Sequence, residues 1–155
     1  MRPMTDDDLP SVIDVQQLGA VLALAHIFPQ DEYPFPREVI LTRWRDEIAD
    51  PRIEACVAVD DEGAIVGFAA TRGPELLHFG TAVTTWGSGA ARELHDAVVL
   101  PLVGRGDRPT LYVFSENQRA RRFYEKLRWR ATGRTKPGDF PPHPLLVEYA
   151  LDPRT

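Results

Sequence analysis

The chain holds 155 residues, 43% hydrophobic and 26% charged, with a formal net charge of −5; that is enough for one domain, 1–155, with a real core. The acidic balance argues against nucleic acid or an anionic membrane as partner, because both need a basic face, and suits a neutral or cationic small substrate. The single cysteine, Cys56, excludes an intramolecular disulfide and a cysteine metal cluster, and reads as a buried small hydrophobe.

"MRPMTDDDLP" lacks the apolar stretch of a secretory leader, and no apolar run approaches the ~18 residues of a membrane span. A cytoplasmic location is the expectation. Met1 to Met4 reads as a short strand before a helix capped by Asp7 or Asp8, with Pro10 tolerated in its first turn. Val12, Val15, Leu18, Val21 and Leu22 recur at helical spacing. "HIFPQDEYPFP", rich in proline and aromatics, is irregular, and "REVILTRWRDEIAD" is a second helix. "IEACVAVD" and "AIVGFAATRG" form a hairpin across "DEG", and "ELLHFGTAV" is a third strand.

That strand feeds "TTWGSGAARELHDAVVL", a glycine pair around a serine followed by a helix that Pro101 limits. "TLYVFS" is a buried strand, "NQRARRFYEKL" a helix with an apolar stripe, and "WRATGRT" and "LLVEYAL" close the chain around "KPGDFPPHP". After the first strand the order is α, α, β, β, β, α, β, α, β, β, a mixed α/β (α+β) layer fold.

The glycine stretch does not fit a dinucleotide fingerprint, since Arg92 stands at the third glycine position, and no lysine completes a phosphate loop. Successive backbone N–H groups entering a helix nevertheless make an anion nest, to which the helix dipole adds favourable potential.

Trp86-Gly87-Ser88-Gly89-Ala90-Ala91 resembles the Q/R-x-x-G-x-G/A acetyl-CoA motif of the GNAT acetyltransferase superfamily, with Trp86 in place of the usual Gln or Arg. "NQRARRFYEKLRW" is similar to that family's N-x-x-A-x-x-F-Y-E-K-x-G-F segment through Asn117, Ala120, Phe123, Tyr124, Glu125 and Lys126. Arg128 stands where glycine is usual, and Trp129 supplies the aromatic. The two motifs come in the family's order and cover the carboxyl-terminal half.

The resemblance implies a mostly antiparallel central sheet with helices on both faces and acetyl-CoA as co-substrate. It implies that backbone from Trp86 to Ala91, including Gly87, Ser88, Gly89 and Ala90, holds the pyrophosphate. Thr81, Ala82 and Val83 would meet the pantetheine arm, and Asn117, Ala120 and Phe123 would complete the site. It also implies Tyr124 as proton donor to the leaving thiolate, and leaves the oligomeric state open, a homodimer included.

Acetyl transfer needs a base for the attacking amine. Glu75 opens the third strand, at an offset from the glycine turn where some family members carry a catalytic glutamate. Histidine is a side-chain type suited to base work near neutrality, but strand alternation sets His78 opposite Glu75, so one of the two faces the acceptor. Water is the third choice. Tyr33 and Glu32 in the proline-rich segment, with Phe28, Phe35 and Asp31, offer an aromatic and acidic clamp for an ammonium group. "GDFPPHP" closes the same cleft. His26, His78, His95 and His143 lack ligand spacing, so no metal is expected. These residues point to N-acetyl transfer from acetyl-CoA to a small amine or peptide. An acyl-CoA-binding regulatory domain without turnover, and an O-acetyl or longer-acyl transferase, are the competing readings.

Overall fold

A computed structural model describes residues 1–152 of the chain. The elements are β1 (Arg2–Pro3), α1 (Leu9–Ala23), α2 (Arg37–Ala49), β2 (Ile53–Val59), β3 (Ile65–Arg72) and β4 (Glu75–Thr81). They continue with α3 (Ala90–Gly104), β5 (Thr110–Phe114), α4 (Gln118–Lys126), β6 (Trp129–Pro137) and β7 (Leu145–Leu151). The expected kinds and order of elements hold, while several edges differ. The first strand is two residues long. Neither Asp7 nor Asp8 caps α1 with its side chain; a 3-10 turn over Asp6–Asp8 precedes it, begun at Thr5. Asp8 turns inward, accepting the Thr5 N–H at 2.8 Å and both Arg2 guanidinium arms at 2.8 Å, and the Arg2 bonds hold its carboxyl at about 2. On α1, Leu9, Val12 and Ile13 are buried, but Leu18 (53% exposed) and Leu22 (57%) face outward, so the apolar stripe is narrower than its spacing suggests. Helix α3 runs three residues past Pro101, because a proline in the last turn removes only one ladder bond.

The seven strands form one sheet in the order β1-β2-β3-β4-β5-β7-β6. All pairs are antiparallel except β4 and β5, which touch only through Glu75↔Thr110 and Leu76↔Leu111. Beyond Leu76 and Leu111 these two strands part, and the sheet opens as a wedge.

Helices cover both faces. On β3, Gly67 lies against Leu94 of α3, whereas its neighbour Phe68 packs edge-on to Trp44 of α2, with ring centroids 5.8 Å apart. Adjacent strand residues point to opposite faces, so α1 and α2 lie on one side and α3 on the other. The two cores follow that division: Leu9, Val12, Ile13, Trp44, Val57 and Phe68 on the first side, Leu76, Val99, Leu111, Tyr124, Trp129 and Tyr149 on the second.

One irregularity in β4 matters for the site. Ala70 pairs with His78, yet Thr71 pairs with Leu76, which leaves Leu77 as an extra residue. Such a bulge places two consecutive side chains on one face and leaves an amide outside the ladder. Leu76 and Phe79 accordingly pack in the α3–α4 core, while Leu77 packs in the α1–α2 core and His78 lies beside Trp44.

The second core contains a buried histidine. The Trp129 indole N–H donates to His95 Nε2 at 2.9 Å, so Nε2 is unprotonated and the ring proton sits on Nδ1, donating to Asp96 at 2.9 Å. Burial, first, and the Arg92 charge lower the His95 pKa against the opposing pull of Asp96. The unfolded chain therefore binds this proton more readily than the folded one. Stability from the neutral ring is complete above the ordinary histidine value of about 6.5 and is lost as pH falls below it. Melting curves should show a Tm decline between pH 7 and 5 that His95→Gln, which keeps an acceptor, flattens; each 1 kcal/mol lost corresponds to about 3 °C. An equally steep decline in the variant removes His95 as its cause.

Candidate active site

Two cavities meet at the wedge. One, of about 580 Å³, lies between α1, β4 and α4 and reaches Thr81, Trp86, Ala91, Asn117, Ala120, Phe123 and Tyr124. The other, of about 830 Å³, lies under the proline-rich loop and α2, and includes Glu32, Tyr33, Glu75 and His78. Leu76, Leu77, His78, Tyr112 and Phe114 belong to both. The sheet is thus open from one side to the other at the point where β4 leaves β5, and both volumes are of small-molecule size.

The first cavity reaches the two ends of the glycine turn, Trp86 and Ala91. Gly87 (φ 83°) and Gly89 (φ 93°) are both left-handed, with Ser88 between them, and a Cβ on either would meet nothing within 4 Å. The pair serves the turn, since L side chains resist that conformation, and it also leaves an open face. The Trp86 N–H donates to Val83 O, the Ser88 N–H to Thr85 O, and the Ala90 N–H to Ser88 Oγ. Those three amides are therefore not part of an open cradle, which corrects the continuous Trp86-to-Ala91 stretch. Glu93 makes the first helical bond, to Gly89 O. Among the described residues nothing accepts from the N–H groups of Gly87, Gly89, Ala91 or Arg92. Four unpaired donors at a helix N-terminus, under an open face, fit a phosphate group.

Trp86 takes a role of its own. Its indole N–H donates to Thr81 O at 3.2 Å, and the Arg119 guanidinium lies 3.5 Å over its ring. Burial lowers the Arg119 pKa. The sequence reading missed this cation, because the pairing joins residues on different elements. On β4, Ala82 N–H bonds Val66 O, so alternation turns the main chain of Thr81 and Phe79 toward the wedge. Ala82 itself is paired to β3, and Val83 belongs to a short 3-10 turn, so neither offers a free strand edge. Asn117 caps α4, its Oδ1 accepting the Ala120 N–H at 3.2 Å. At the far end of α4, Arg128 adopts φ 73°, the left-handed exit that glycine would provide.

Tyr124 lies in an aromatic cluster with Phe79, Phe123 and Trp129, at ring centroid distances of 6.4, 5.3 and 5.8 Å. It is 8% exposed, and among the described residues its hydroxyl has no hydrogen-bond partner. Burial pushes its phenol above the usual range, so it stays protonated at neutral pH.

In the second cavity, Glu75 pairs with Arg72 at 3.0 Å. His78 binds the Glu47 carboxylate through Nε2 at 2.9 and 3.0 Å and lies 4.7 Å from the Trp44 ring. The expected opposition of Glu75 and His78 fails: Leu77 inserts an extra residue, the alternation resets, and both line one cavity. The loop folds over it, with Phe28 edge-on to Phe114 at 5.4 Å and the His26 ring bonded to Glu116 O. Gly138, Asp139 and Phe140 of the last loop complete the wall, whereas Asp31 is not part of it. Glu47, which sequence reading passed over, carried no local signal on an ordinary amphipathic helix. Among the described residues no three His, Cys, Asp or Glu side chains gather in a metal-binding group, and no helix is long and apolar enough to cross a membrane.

A family model described as "Acetyltransferase (GNAT) family" matches residues 18–128. The chain belongs to the GNAT acetyltransferase family. It is an acyltransferase, and the family uses acetyl-CoA. Curated protein sequences give no match. Solved structures share the acetyltransferase fold at low identity. YjaB from Escherichia coli, in its apo form, is 18% identical with TM-score 0.72 over 96% of this chain and 94% of that one. The PaiA N-acetyltransferase of Thermoplasma acidophilum, in complex with coenzyme A, is 18% identical with TM-score 0.68 over 95% of each chain. A chimera of the Vibrio cholerae spermidine N-acetyltransferase SpeG and hSSAT is 16% identical with TM-score 0.70, over 98% of this chain and 93% of that one. The matched segment of this GNAT protein contains the wedge, the glycine turn, Tyr124 and the His78–Glu47 pair.

Proposed function

We propose that this GNAT protein transfers the acetyl group of acetyl-CoA to a primary amine of a small molecule or peptide by direct attack. The observation that carries the reading is the wedge, where a cavity that reaches Trp86 and Ala91 of the glycine turn, beside four amides without an acceptor among the described residues, opens into one rich in carboxylates. Gly87, Gly89, Ala91 and Arg92 amides would take the pyrophosphate, with Arg119 adding charge. The main chain of Phe79 and Thr81 would bond the pantetheine arm. The bulge amide at Leu77 would polarise the thioester carbonyl, since a fixed N–H aimed at developing oxyanion charge is worth several kcal/mol.

The acceptor side favours a cation. Among the described residues Glu32, Asp46 and Asp139 line it without an ion-pair partner, Arg72 is neutralised by Glu75, and Lys136 rests 4.1 Å over the Tyr112 ring. In the reaction an ammonium loses one proton to a base, its nitrogen forms the C–N bond, and the C–S bond breaks. The thiolate takes a proton from the Tyr124 hydroxyl, and the second nitrogen proton returns to that oxygen.

Thiol release from acetyl-CoA should be measured with 1,4-diaminobutane, spermidine, tyramine and a short peptide. Turnover is expected with at least one amine. Raising ionic strength from ~50 to ~500 mM should raise the KM of a dicationic acceptor several-fold at constant kcat, because exposed carboxylates are screened. CoA binding without thiol release on any of these amines would sink the reading in favour of a binding domain.

A further inference from the structure

The base is not where the strand pattern first puts it. Glu75 opens β4, is paired with Arg72, and lines the acceptor cavity but not the first one. His78 lines both cavities. It adjoins Leu77, the bulge residue, and so sits where an acceptor nitrogen would reach the thioester.

Its geometry is that of an oriented imidazole. Nε2 faces both oxygens of Glu47, at 2.9 and 3.0 Å, and among the described residues Nδ1 has no partner. A neutral ring between those surroundings places its proton on Nε2, toward the carboxylate, and its lone pair on Nδ1. The Trp44 ring lies 4.7 Å away. Trp44 is itself fixed, 1% exposed and bonded through its indole N–H to Gln16 at 2.8 Å. Carboxylate and indole together hold both the tautomer and the ring plane.

Resting on the acetyltransfer reading, we propose that His78 is the general base for the acceptor amine and that Glu47 of α2 is the residue that positions it. The ammonium N–H bond breaks, its electron pair stays on nitrogen, and the proton forms an Nδ1–H bond. The imidazolium keeps its Nε2–H on Glu47 and later gives the Nδ1 proton to solvent. Glu47 is suited to the role because it remains ionised. Burial opposes its charge, but the His78 hydrogen bond and the charges of His78, Arg43 and Arg72 outweigh that and lower its pKa.

The other groups lining this cavity are Arg43 and Asp46 on α2, Asp50 just after it, Arg72 on β3, Glu75 on β4 and Lys136 on β6. Tyr112 on β5, and Glu32, Tyr33 and Asp139 on the loops, complete the titratable set. Asp50 is bonded to Arg52 and held at about 2, so it stays charged across any working pH.

Two measurements test the proposal. The first needs no substrate: in a pH series of ring ¹⁵N shifts of His78 in the intact protein, the neutral ring should show the Nε2–H tautomer, and Glu47→Gln should mix the tautomers. An Nδ1–H ring in the wild type overturns the assignment. The second follows thiol release with the best of the four amines above as pH varies. His78→Gln should lower kcat about 100-fold or more with acceptor KM within about twofold, and remove the acidic limb of the kcat/KM profile. Glu47→Gln should lower kcat at least about tenfold, and Glu47→Asp should restore part of it, which a purely structural role would not do. In Glu75→Gln the acidic limb should persist. A limb that survives in His78→Gln, or vanishes in Glu75→Gln, overturns the proposal. Absence of turnover by the wild type with a correct tautomer would instead bring down the acetyltransfer reading, and the base role with it.

Discussion

Tyr124→Phe is expected to lower kcat about 10²- to 10³-fold, with the Kd for CoA and the Tm unchanged. The ring makes its contacts through carbon, against Phe79, Phe123 and Trp129. Among the described residues the hydroxyl has no partner, so its removal leaves none of their buried donors or acceptors unsatisfied. The effect should therefore fall on the chemical step alone. A thiol ordinarily titrates near 8.5, well below a phenol that burial has pushed upward. Full transfer from phenol to thiolate is unfavourable on its own and becomes favourable once the adduct's nitrogen returns a proton to the same oxygen. Such an exchange predicts a solvent isotope effect on kcat in the wild type that the phenylalanine variant lacks. Wild-type kcat in the variant would end the proton-donor role. A marked fall in Tm would mean that the hydroxyl is bonded within the fold.

Legibility in the sequence tracks how local each constraint is. Element order came from apolar periodicity and from proline and glycine punctuation, which depend on a dozen neighbouring residues at most, and it holds along all described residues. The two motifs of the carboxyl-terminal half lie where their spacing placed them, at the entrance of α3 and along α4. The second cavity draws on the two proline-rich segments the sequence brought out, "HIFPQDEYPFP" and "GDFPPHP", through Tyr33 and Phe140 among others.

What escaped depends on partners far along the chain. The bulge at Leu77 is a property of the β3–β4 register, not of "ELLHFG", so alternation along one strand could not show that Glu75 and His78 share a face. Glu47 lies 31 residues before His78, and its helix shows no feature that marks one carboxylate out of several. Arg119 is likewise one arginine among three in "NQRARR" until Trp86 comes beneath it. In α1 the same limit works in reverse: Leu18 and Leu22 continue the helical spacing, yet both lie outside the core that buries Leu9, Val12 and Ile13.

Gly89→Glu should raise the Kd for CoA at least about 100-fold, and it separates the two uses of the glycine turn. At φ 93° a side chain is strained by about 1–2 kcal/mol, although a Cβ there meets no neighbouring atom. That strain predicts a Tm loss of about 2–8 °C, without unfolding. The larger consequence is electrostatic. A carboxylate at residue 89 lies beside the unpaired N–H groups of Gly87, Ala91 and Arg92, satisfies them internally, and meets an incoming pyrophosphate with like charge. Gly89→Ala carries the same backbone strain without the charge, and should weaken binding about tenfold or less. Gly63→Glu, at φ 82° in the β2–β3 turn with equally open space, places strain and charge away from both cavities; it should lose a similar Tm and keep full affinity. Calorimetric titration of the three variants with CoA decides the matter. If Gly89→Glu binds as tightly as Gly63→Glu, the turn exists for the chain's own geometry, and the pyrophosphate must be held elsewhere.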